Sequence, residues 1–99
     1  MKKEEILNQL GGIPENVYDE IVEGFFLESS DRIRLMTDAI TISNLNTIAS
    51  LAHDIKGASA NLRLIKIQEM AKNLEAAAKS NNIERVRHYF DRLKPLIHL

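Results

Sequence analysis

With 99 residues, 44% of them hydrophobic and 27% charged, the chain has a globular composition, large enough for one core and too small for two. Thirteen Lys/Arg against fourteen Asp/Glu leave a net charge of −1, without the basic excess that suits a nucleic-acid backbone. Cysteine is absent, which excludes disulfides, thiolate metal sites and cysteine nucleophiles.

The four glycines, Gly11, Gly12, Gly24 and Gly57, form neither GxxxxGK[ST] nor GxGxxG, so any phosphoryl chemistry has to be supplied by a partner. No apolar run approaches the ~18 residues of a membrane span. Met1-Lys2-Lys3-Glu4-Glu5 leads into no signal-like stretch. The expectation is a cytoplasmic monomer with one domain over residues 1–99, no membrane contact and no nucleic-acid partner.

Residues 2–10 read as a short amphipathic helix (Ile6, Leu7, Leu10), stopped at Gly11-Gly12, where a glycine can take the left-handed cap. Pro14 suits the first turn of a second helix running to about Ile42, with Tyr18, Ile21, Val22, Phe25, Met36 and Ile40 on one apolar face. Ser43 is the expected N-cap of a third helix over 44–62, with Leu45, Ile48, Ala52, Ile55, Ser59 and Leu62 as its stripe. A fourth, over 64–79, carries Ile67, Met70, Leu74, Ala77 and Ala78. Asn81 with Glu84 resembles a capping box for a fifth helix (Ile83, Val86, Phe90, Leu93), which Pro95 ends or kinks. No strand alternation competes. The fold class is all-α: an up-down-up-down four-helix bundle with a short extra N-terminal helix.

On a helical wheel the apolar stripe of the third helix centres far from His53, which therefore faces solvent. Its wheel neighbours Asn46, Ala49, Ser50, Gly57 and Ala60 are small or short, and Lys56 lies one turn on. An exposed helical histidine is by itself an ordinary surface residue. This one stands in a collar that lets another protein bring an electrophile to the ring. Gly57 weakens the helix by about 1 kcal/mol relative to alanine, which suggests close approach there. Lys56 can place an ammonium beside an arriving anion. Ser59 falls on the apolar stripe and is expected to bond a carbonyl one turn back. His88 and His98 have no ligand-spaced partner, so no metal site is expected.

The run His53-Asp54-Ile55-Lys56-Gly57-Ala58-Ser59-Ala60-Asn61-Leu62 resembles the signature of histidine-containing phosphotransfer domains, H-x-[LI]-K-G-x-[SA]-x-x-[LIV]-G. Leu51-Ala52, Met70-Ala71-Lys72-Asn73-Leu74-Glu75, Leu7-Asn8-Gln9-Leu10-Gly11-Gly12 and Phe25-Phe26-Leu27-Glu28 are also similar to that family, so the likeness spans nearly the whole chain. One departure is Arg63 in place of the pattern's final glycine. If that glycine adopts φ > 0, arginine disfavours the conformation, and Asn61 is the alternative for the role.

The resemblance implies a phosphorelay carrier with no ATP site of its own. His53 would accept a phosphoryl group from a receiver-domain phospho-aspartate and pass it to another receiver aspartate. Lys56 would offset phosphoryl charge and Gly57 would give access. Asn46 and Asn61 could supply a hydrogen bond. The docking rim would include Asn46, Ala49, Ser50, Ala60 and Asn61 on the third helix, with Phe26 and Leu27 from the second. The implied partners are response-regulator receivers and an upstream hybrid histidine kinase. The chain would hold no cofactor, and Mg²⁺ would sit on the receiver. The competing reading is a helical module that binds a receiver or other regulatory protein without phosphate transfer.

Overall fold

A computed structural model describes residues 2–97. They form α1 (Lys3–Gln9), α2 (Glu15–Thr41), α3 (Leu45–Asn61), α4 (Ile65–Lys79) and α5 (Ile83–Leu93). A 3-10 turn over Lys94–Leu96 follows, starting beside Pro95 as expected. No strand occurs among the described residues. The 27 residues of α2 span roughly 40 Å at 1.5 Å per residue, which accounts for the 42 Å long axis of the molecule. α3 packs on α2 and α4, and α5 packs on α4. Met36, Ile48, Ile55, Leu74, Val86 and Leu93 are fully buried at the centre of the bundle.

The connections repeat one device. After α1, α2, α3 and α4 a left-handed residue follows the C-cap: Gly11 (φ 87°), Ser43 (φ 54°), Arg63 (φ 61°) and Asn81 (φ 56°). In each case the next amide reaches back to a helix carbonyl, closing a Schellman turn: Gly12 N to Leu7 O at 2.8 Å, Asn44 N to Ala39 O at 2.8 Å, Leu64 N to Ser59 O at 2.9 Å and Asn82 N to Ala77 O at 3.0 Å. After α2, α3 and α4 that same residue is the N-cap of the following helix.

This economy moves three expectations by one or two positions. The N-cap of α3 is Asn44, whose side chain accepts from Thr47 N at 3.2 Å; Ser43 is taken by the left-handed turn. Likewise Asn82, not Asn81, caps α5 by accepting from Arg85 N at 3.1 Å. Arg63 adopts the positive φ itself, while Asn61 stays in α3. Its side chain offsets the strain: Nη1 donates to Ala60 O at 2.8 Å and Nε donates to Gln9 at 2.9 Å, which ties α1 to the end of α3. Buried Tyr18 adds a second tie, its hydroxyl donating to Leu62 O at 2.8 Å. Pro14 is the N-cap of α2, one residue before its first turn.

The core matches the expected stripes with one exception. Ile21 is 47% exposed. It stands on the rim of a groove that Ala58, Asn61 and Leu62 line from the α3 side without covering it. His98 and Leu99 lie outside the described residues.

Candidate functional site

α3 turns Ala52, Ile55 and Ser59 into the core and leaves the opposite face to solvent. Ser59 Oγ donates to Ile55 O at 2.6 Å, the back-bond expected of a serine on an apolar stripe. His53, on the outer face, has a 62% exposed side chain. The ring is nevertheless not free to turn. Its Nδ1 lies 3.0 Å from Oε2 of Glu75 on α4.

Glu75 is the centre of the arrangement. Its side chain is 6% exposed, and Lys56 Nζ donates to its Oε1 at 2.6 Å while Lys79 Nζ lies 3.1 Å from Oε2. Burial pushes this carboxyl up, but hydrogen bonds from Lys56, Lys79 and His53 outweigh that and hold it at about 2, against an ordinary 4.5. Glu75 is therefore an anion near neutral pH and can only accept hydrogen bonds. In the neutral ring this selects the tautomer: Nδ1 carries the proton and donates it to Glu75, and Nε2 keeps its lone pair. An exposed ring is thus oriented from behind by a buried charge.

Gly57, one turn on from His53, is helical and exposed, and a Cβ there would meet nothing within 4 Å. No internal contact demands this glycine. Ala49 and Ala60 are half-buried, and Asn46, Ser50 and Asn61 are exposed. On α2, Leu27 is exposed, while Phe26 is half-buried and meets Phe25 edge-on with ring centroids 5.4 Å apart. Beyond Gly57 an open groove of about 300 Å³ runs between α2 and α3, lined by Gly24, Phe25, Ala58 and Leu62 among others.

The family model of the Hpt domain matches residues 20–98. The chain belongs to this family. Hpt domains act in histidine phosphotransfer within phosphorelay signalling, as carriers more than as catalysts. Searches of curated proteins and of solved structures return no match. In this Hpt domain α1 and the first residues of α2 lie outside the matched segment.

Sequence reasoning assigns Glu75 no role, because it lies 22 residues from His53 and no spacing rule links them. A signal was present all the same. Glu75 sits four residues after Ala71 and three before Ala78, both buried, so a carboxylate occupies the core stripe of α4. A charge in that register needs partners, and the cations of α3 and α4 supply them. Among the described residues no group of three His, Cys, Asp or Glu side chains is placed to hold a metal, and no helix is long and apolar enough to cross a membrane.

Proposed function

We propose that this Hpt domain is a phosphorelay carrier in which Nε2 of His53 accepts a phosphoryl group from the aspartyl phosphate of a receiver domain and returns it to another receiver aspartate. The observation that supports it most is the buried Glu75 carboxylate on Nδ1 of a ring that is otherwise exposed. The Nε2 lone pair forms the bond to phosphorus as the bond from phosphorus to the aspartate oxygen breaks, and that electron pair leaves with the carboxylate. No proton has to move. The Nδ1 proton stays with Glu75, and the positive charge that develops on the ring faces an anion already in place. Lys56 offsets the phosphoryl charge from one turn away.

Gly57 gives the receiver's loops room to reach the ring, and the collar of Asn46, Ala49, Ser50, Ala60 and Asn61 frames the approach. Phe26, Leu27 and the groove between α2 and α3 form an apolar margin for a small interface that releases quickly. In this reading α2–α5 follow an up-down-up-down path in a single domain that works as a cytoplasmic monomer. It has no ATP site of its own; Mg²⁺ belongs to the receiver, and a hybrid histidine kinase stands upstream.

The test is to incubate the chain with phosphorylated receivers and look for acid-labile, base-stable label. Label that disappears in His53→Gln, with helicity retained, supports the carrier. No label from several receivers leaves a binding module and removes the carrier.

A further inference from the structure

Two lysines hold Glu75, and the carrier reading uses only Lys56. We propose that Lys79 is a positioning residue that holds the charge of Glu75 while Lys56 moves to the phosphoryl group on His53, an inference that rests on the carrier reading. A buried carboxylate tolerates no loss of its counter-ion, because an unpaired charge in such a place is strongly destabilising. Yet Lys56 is bound to Glu75 at 2.6 Å, so a phosphoryl group on Nε2 competes with that carboxylate for the same ammonium.

The geometry permits the exchange. The lysines occupy different oxygens, Lys56 on Oε1 and Lys79 on Oε2, so one can leave without displacing the other. They also come from different helices. Lys79 stands four residues after Glu75 in the last turn of α4, a favourable order for an acid–base pair and a favourable place for a cation. It does not depend on what happens along α3. Lys56 rises from α3 three residues after His53, on the helix that carries the ring. Among the described residues His53, Lys56 and Lys79 are the ion partners of Glu75, while Arg32 of α2 points to Asp54 at 3.9 Å. When a phosphoryl dianion arrives on Nε2, Lys56 exchanges one anion for another, and Lys79 and the Nδ1 proton remain on Glu75.

Phosphoramidate, a small-molecule phosphoryl donor, tests this on the whole chain without a receiver. The yield and lifetime of phosphohistidine are followed by ³¹P NMR, and the Lys56 ammonium by ¹⁵N–¹H spectra. In the parent chain the Lys56 signal shifts on phosphorylation. Lys79→Gln should shorten the phosphohistidine lifetime about three- to tenfold, the net range of one ordinary hydrogen bond, and Lys79→Arg should restore it. In a Lys56→Gln background, adding Lys79→Gln should change little, because Lys79 acts through Lys56. A Lys79→Gln chain that matches its parent, or that loses as much in the Lys56→Gln background, overturns the proposal and leaves the carrier standing. A parent chain that takes no phosphoryl group on His53 overturns both.

Discussion

Two exposed histidines on two helices differ in what stands behind them, and the proposed carrier role of His53 rests on that difference. His88 on α5 meets Tyr89 edge-on, ring centroids 5.0 Å apart, and among the described residues no hydrogen bond or ion pair joins it to a carboxylate. His53 on α3 is exposed too, but a buried anion holds its Nδ1 and two lysines hold the anion. Exposure is common to both. What distinguishes His53 is the support behind it: one nitrogen is fixed so that the other is presented. The charged network around His53 in this Hpt domain therefore lies between α3 and α4, beneath the exposed face that carries the ring.

The sharpest way to break this comparison is to exchange the histidines' fates. His53→Gln should abolish phosphorylation, whereas His88→Gln should leave it unchanged; label retained in the first or lost in the second would contradict the assignment. Glu75→Gln removes the anion and keeps an acceptor. Transfer should fall by about a hundredfold, the scale of one preorganised electrostatic contact, measured as the initial rate from a phosphorylated receiver. The same variant changes the acid response. Because the folded Glu75 value of about 2 lies below the ordinary 4.5, ionised Glu75 contributes its full stability above about pH 4.5, and that contribution is lost as pH falls through about 2. Urea midpoints between pH 5 and pH 2 should drop less steeply in Glu75→Gln than in the parent.

Gly57→Ala separates stability from access. The added methyl meets nothing within the chain, so the helix should gain about 1 kcal/mol in urea unfolding. Transfer from a receiver should slow by roughly tenfold if the partner's backbone approaches there; an unchanged rate would remove Gly57 from the interface. The smallest effect is expected far from the outer face. Ser29 is buried, and its hydroxyl has no hydrogen-bond partner among the described residues. Ser29→Ala should therefore stabilise by about 1 kcal/mol and leave phosphoryl transfer alone.

Much of this was legible in the residues. Periodicity places Ile48, Ala52, Ile55 and Ser59 on one side of α3 and His53 on the other, and structure and wheel agree because a 17-residue helix drifts little. The helix ends were harder to read. Ser43 and Asn81 are good N-caps by residue type, but both adopt the left-handed conformation that closes the preceding helix, and the capping role passes to Asn44 and Asn82. Arg63 takes a glycine's conformation because its guanidinium finds acceptors on Ala60 and Gln9, a contact 54 residues apart for the latter. Glu75 escaped for the same reason: its meaning comes from what α3 brings across to it.

The central claim concerns which ring nitrogen reacts. With ¹⁵N-labelled histidine in the phosphorylated chain, the ¹⁵N shifts and the ³¹P–¹⁵N coupling identify the substituted nitrogen. Phosphorus on Nε2 of His53, with the Nδ1 proton still slowed in exchange, is the predicted result. Phosphorus on Nδ1 would mean that Glu75 does not hold that nitrogen in the working state, and the account would be contradicted.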